Sequence, residues 1–169
     1  TGDLGMQDRP ILRDPVSIKK ADYLVMETTY GNRLHEENST SIKRLMDIIL
    51  ETTDRGGNVV IPSFAVGRTQ ELIYELNRIY EGDSSYRSTL EKVHVYVDSP
   101  MAIAATEVFK KNAQVFDEET RNYILSGDHP LDFPNLHFTQ TSDESRMINI
   151  DQNPKVIISA SGMCDAGRI

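Results

Sequence analysis

Val59-Val60-Ile61-Pro62-Ser63-Phe64-Ala65-Val66-Gly67-Arg68 decides the fold. Three β-branched residues make a short strand. Pro62 stops it, because proline has no N–H for an interior ladder. Beyond Gly67-Arg68 the spacing turns helical, with Leu72, Leu76, Ile79 and Tyr80 on one face. The same grammar recurs on either side. Val93-His94-Val95-Tyr96-Val97 runs into Asp98-Ser99, and Ser99-Pro100 is an N-cap followed by a proline at the first helical position. Leu136-His137-Phe138 runs into Thr139-Gln140-Thr141, and Val156-Ile157-Ile158 into Ser159-Ala160-Ser161-Gly162. Upstream, Tyr23-Leu24-Val25-Met26 runs into Glu27-Thr28-Thr29-Tyr30. Five apolar runs with polar tips, mostly separated by helical patterns, predict an α/β fold with a mainly parallel sheet flanked by helices. Ligands of open α/β sheets bind beyond the carboxyl ends of the strands, so the tips predict one crest facing a polar, anionic ligand.

The helices carry their own punctuation. Ser39 or Thr40 caps a helix whose apolar positions are Ile42, Leu45, Met46 and Ile49, and Gly56-Gly57 ends it. Asn38-Ser39-Thr40 also matches a glycosylation acceptor, but in a cytosolic chain it reads as this helix start. After Pro100, the residues Met101, Ala105, Val108 and Phe109 form an apolar stripe. Asp117-Glu118-Glu119 puts negative charge at another helix start. Thr141-Ser142-Asp143-Glu144 is a capping box for a helix to about Ile150. Residues 9–20 read as a loop with a turn at Asp14-Pro15. Strand order is not legible.

The chain has 169 residues, 38% hydrophobic and 26% charged, which suits one α/β domain with a real core. No apolar run approaches a membrane span, and no signal peptide is visible. The start at Thr1, without an initiator Met, hints at a fragment. Cys164 is the only cysteine, so no internal disulfide forms and a reducing, cytoplasmic setting is expected. A net charge of −8 argues against a broad basic surface gripping nucleic acid. It does not exclude a nuclease, because cation sites want carboxylates and a few arginines can hold one phosphate.

Several residues are candidates for chemistry. Asp3 by itself reads as a turn aspartate, and one carboxylate cannot hold zinc. The histidines at 35, 94, 129 and 137 show no metal-ligand spacing. Glu27 is either a solvated strand end or an acid on the crest that orients a histidine or a metal. Around Ser63 and Arg68 a helix N-terminus and an arginine suit phosphate, although Arg68 could equally pair with Glu71. In Ser159–Arg168, small residues let backbone approach a ligand closely, and Arg168 could touch phosphate. Gly162 and Gly167 have P-loop spacing, but no Gly-Lys-Ser/Thr follows, which rejects that motif.

Ile61–Glu71, with Met26-Glu-Thr-Thr-Tyr-Gly31 and Ser159-Ala-Ser-Gly-Met-Cys164, resembles the β-CASP branch of the metallo-β-lactamase superfamily. These are RNA- and DNA-processing nucleases, among them ribonuclease J and the cleavage subunit of the polyadenylation machinery. The likeness is strongest to the RNA-processing exonuclease-like members and runs over the whole chain. It implies a Rossmann-like β-CASP domain over residues 32–169, cut before motif B, behind the tail of a metallo-β-lactamase-type half at 1–31. It implies that Asp3 is a metal ligand bridging two zinc ions, and that Glu27 is the acidic motif A, with Thr28 in place of the usual serine. Tyr30, Ser63, Arg68, Ser161, Gly162 and Arg168 would line the RNA groove. Asp165-Ala166 departs from the commoner Thr-Gly and places a negative charge in the suspected anion loop.

The resemblance further implies a zinc-dependent ribonuclease, a hydrolase of RNA phosphodiester bonds, in which this lobe clamps the RNA substrate. The family's His-x-His-x-Asp-His motif is expected before Thr1, motif B directly after Ile169 and motif C further on. The missing lactamase-type half of the same chain is the expected partner, no membrane is, and a homodimer stays open. The chain alone is expected to be inert and to bind zinc poorly. Two other readings stand beside this one: a non-catalytic phosphate- or nucleotide-binding α/β module, and a purely structural lobe.

Overall fold

The computed structural model describes residues 2, 5–34, 38–82 and 85–169, with Asn38 described by its backbone alone. Asp3 lies outside the described residues. The elements alternate as expected: α1 (Asn38–Asp54), β1 (Val59–Pro62), α2 (Arg68–Glu81), the one-turn α3 (Arg87–Leu90), β2 (His94–Asp98), α4 (Pro100–Lys111), α5 (Glu118–Leu125), β3 (Leu136–Phe138), α6 (Ser142–Ile150) and β4 (Lys155–Ser159). The four strands form one sheet in the order β1-β4-β2-β3, and every pairing is parallel. Pro62 closes an edge strand, where its missing N–H costs no interior bond.

Register explains the core. Val59 and Ile61, Val156 and Ile158, Val95 and Val97, and Leu136 and Phe138 stand side by side on one face. Their cluster takes in Met46 and Ile49 of α1, Ile73 and Leu76 of α2, and Ala102 and Ile103 of α4. The opposite face carries Val60, Ile157, Tyr96 and His137 in one row. It meets α6, through Ser145 to Asp98 and through the buried Lys155, whose Nζ donates to the Ile148 and Asp151 carbonyls at the helix end. Val60 stays 50% exposed, so this cover is partial.

Two expectations change. Tyr23–Met26 forms no strand and takes no place in the sheet; its four side chains are 94%, 64%, 82% and 55% exposed. A four-residue apolar run signals a strand without saying whether its partners lie in the same chain. The crest therefore has four tips, and Glu27 is not on one of them. In α4 Phe109 of the expected stripe packs against the core and Ala105 is half-buried, but the fully buried positions are Ala102, Ile103 and Thr106, while Met101 and Val108 are 68% and 58% exposed. Its buried side carries a polar contact. Gln70 of α2 is fully buried, and its amide reaches the Ala65 and Ala102 carbonyls and Thr106 Oγ1 at 3.2, 3.3 and 2.9 Å. Its Oε1 accepts from the Gly67 N–H at 2.7 Å.

The Ser99 cap and the capping box form as expected, and Asp117, expected only as charge, is itself a cap. Ser99 Oγ accepts from the Ala102 N–H and Asp117 Oδ1 from the Thr120 N–H. Thr141 and Glu144 exchange both bonds of a capping box. α1 is the exception: it begins at Asn38, so Ser39 and Thr40, the expected caps, fall inside its first turn.

Candidate functional site

The four strand tips are tied into one line. The Ser63 N–H donates to the Ser159 carbonyl at 2.9 Å, and Ser159 Oγ donates to the Asp98 carbonyl at 2.9 Å. Thr139 Oγ1 donates to Asp98 Oδ1 at 2.6 Å. That path runs β1, β4, β2, β3, the order of the sheet. Asp98 is its hub, only 5% exposed, and also receives Ser145 Oγ at 2.7 Å and Arg168 Nη1 at 2.6 Å. Sequence reading marked Asp98 as a polar tip and missed this role. The signal was an acid at the end of a buried strand, where a carboxylate needs partners.

Arg168 closes the loop that follows β4. Besides Asp98, its guanidinium donates to the Thr139 and Gln140 carbonyls at 3.0 and 2.9 Å. The loop folds on itself through Ser161 N–H to the Ala166 carbonyl and Arg168 N–H to the Ala160 carbonyl. Gly167 has φ +102°, and a Cβ there would stand 2.2 Å from the Ala160 oxygen, so no side chain fits. Gly162 lies against Phe64 at the tip of β1, where a Cβ would stand 3.1 Å from the Phe64 nitrogen. Ser161 Oγ donates to Asp165 Oδ1 at 2.8 Å, so the aspartate that departs from the family pattern occupies this hydroxyl.

The other expected site residues sit as follows. Ser63 is 1% exposed, and its hydroxyl accepts from Thr69 Oγ1 at 3.1 Å, inside the crest rather than on its surface. Arg68 opens α2 and pairs with Glu71 at 2.9 Å, a surface contact. Arg9 reaches the same carboxylate at 3.5 Å. Glu27 accepts the Thr29 N–H at 2.8 Å, and that bond holds its carboxyl below the usual range. Tyr30 is 50% exposed with the Arg33 guanidinium 4.8 Å from its ring centroid. The structure thus brings Ser63, Ser161, Gly162 and Arg168 together at the crest, while Glu27 and Tyr30 lie on the segment before α1. Among the described residues no group of three or more His, Cys, Asp or Glu could hold a metal ion.

Parallel strands, a crest tied through one buried acid, and a glycine loop closed over the last tip define a Rossmann-like α/β domain. The Beta-Casp domain model matches residues 69–169, and the chain belongs to that family. It is 32% identical over 169 residues to a protein named ribonuclease TTHA0252 from Thermus thermophilus, covering 100% of this chain and 38% of that protein. It is 30% identical to the transcription termination factor FttA of Methanocaldococcus jannaschii, covering 99% of this chain and 26% of the factor. It is 28% identical to cleavage and polyadenylation specificity factor 73 of Drosophila melanogaster, covering 99% and 23%. The chain spans well under half the length of each of these relatives. No helix among the described residues is long and apolar enough to cross a membrane.

Proposed function

We propose that this chain is the RNA-clamping lobe of a ribonuclease that hydrolyses phosphodiester bonds. The observation that carries the reading is the crest. Its four tips are locked into one rigid edge by hydrogen bonds through Asp98, on a domain whose relatives include proteins named as ribonucleases. A rigid edge holds a strand in register against a reacting centre, which is what positioning requires. Residues 1–31 would belong to the lactamase-type half and 32–169 to the clamp, in a protein of the cytoplasm.

Glu27 is proposed to act through another group. Its carboxylate is kept ionised by the Thr29 N–H, so it can accept a hydrogen bond and fix the orientation of a proton-donating imidazole supplied elsewhere in the whole protein. Tyr30, Arg68, Ser161, Gly162 and Arg168 are proposed to face RNA, with Ser63 supporting them from inside.

Zinc dependence is proposed of the whole protein only. The described residues offer no fit for a metal, and Asp3 alone would supply one ligand where tight zinc binding wants three or four. The 169 residues by themselves are proposed to be inert and to hold no stoichiometric zinc.

The test is Asp3→Ala in the full-length protein, read by cleavage of a labelled RNA and by zinc content. Loss of both is expected. Undiminished zinc-dependent cleavage would overturn the reading. Binding of nucleotides or phosphate without any RNA cleavage by the wild type would favour the non-catalytic module instead.

A further inference from the structure

We propose that Phe64, at the tip of β1, is a stacking platform for one base of single-stranded RNA. The inference deepens the RNA-clamp reading and rests on it. Phe64 is 58% exposed, beside strand tips built of hydroxyls, an acid and an arginine. It is exposed and yet fixed. Immediately before it, the Ser63 N–H is bonded to the Ser159 carbonyl at 2.9 Å. Its own carbonyl accepts from Thr69 Oγ1 at 2.8 Å. Its ring is backed by Gly162, where a Cβ would stand 3.2 and 3.3 Å from Cδ2 and Cε2. Glycine at 162 is what lets the second loop approach this closely. Ser63 and Ala65, the neighbours of Phe64, are 1% and 9% exposed, so the turn buries its small residues and leaves the large ring out.

An aromatic ring that is ordered before it has a partner has little entropy left to lose on stacking. The chemistry around it suits one nucleotide. Four residues on, Arg68 opens α2 with its side chain 50% exposed; its surface pair with Glu71 leaves further guanidinium N–H groups to donate to the phosphate of a strand whose base lies on the ring. Val66, two residues after Phe64, and Met163, next to Gly162, are 63% and 70% exposed and would border the base with apolar surface. Every base has a π face, so such a platform grips RNA without reading its sequence.

The experiment uses the full-length protein and a fluorescent oligoribonucleotide with phosphorothioate linkages to slow cleavage, read by anisotropy. Phe64→Leu is expected to weaken binding about 5- to 150-fold, the range of one stacked base. Phe64→Trp should bind at least as well as wild type. The slope of affinity against salt should not change, because no phosphate contact is lost. One abasic position in the RNA should cost the wild type as much as Phe64→Leu costs, and the two losses should not add. A 5-iodouridine photocrosslink to Phe64 in the wild type gives a readout that needs no variant. Unchanged binding by Phe64→Leu, full additivity at every abasic position, or no adduct on Phe64 from any position overturns the platform. So does a fall in stability that accounts for the whole loss, which would mean the ring packs against the rest of the protein. If the wild type binds no RNA at all, the clamp reading itself fails, and the platform with it.

Discussion

Replacing Asp98 by alanine should unlock the crest. The side chain is 5% exposed and receives Thr139 Oγ1, Ser145 Oγ and Arg168 Nη1 at 2.6, 2.7 and 2.6 Å. Removing one partner of a buried ion pair costs about 3–5 kcal/mol, because the other charge is left uncompensated. Arg168 keeps 19% side-chain exposure and two carbonyl partners, which places the cost at the low end, about 3 kcal/mol. For a chain of this size that is a fall in Tm of about 6–12 °C. Urea unfolding at pH 7 measures it, with an unchanged m-value showing that stability alone moved. Asp98→Asn keeps shape and one acceptor and should lose less. A double-mutant cycle with Arg168→Met should return a coupling above about 1 kcal/mol. An Asp98→Ala protein within about 0.5 kcal/mol of wild type, the range of an ordinary surface change, would refute the hub.

Gly167→Ala should cost about 2–3 kcal/mol in the same assay, since its Cβ meets the Ala160 oxygen and its φ is one that side chains resist; a neutral result would mean the loop has another closed form. Glu144 gives a pH prediction. The backbone N–H groups of Thr141 and Gln140 hold its carboxyl below the usual range, so its contribution is present above the unfolded carboxyl pKa and is lost as pH falls through the lower, folded value. Glu144→Gln should therefore flatten the acid limb of stability below about pH 4.5 relative to wild type, and parallel limbs would count against the capping box.

Much of the fold was legible because its signals are local. Thr141-x-x-Glu144, Ser99-Pro100 and Asp117 name helix starts by side-chain chemistry that acts within three residues, and each cap formed. The strand tips were legible for the same reason. What failed was non-local. Whether Tyr23–Met26 pairs into a sheet depends on residues far away in sequence or beyond this chain, and its composition is the same either way. The stripe on α4 was read from apolar spacing, but the inward side also carries a polar partner, Gln70, thirty-two residues before Ala102, which apolar spacing does not register. Of the candidate site, the residue types at the tips were visible, whereas the convergence of Thr139, Ser145 and Arg168 on Asp98 needs β2 to lie between β4 and β3, and strand order carries no local mark.

The exposed run at Tyr23–Met26 has a practical corollary. Four large side chains rich in β propensity, open to water, are the kind of segment that seeds cross-strand association between molecules. Lys19, Lys20, Asp22 and Glu27 bracket it with charge of both signs, the arrangement by which gatekeeper residues slow such contacts. Preparations of these 169 residues should accordingly stay monodisperse at low ionic strength and cluster as salt mutes those flanking charges.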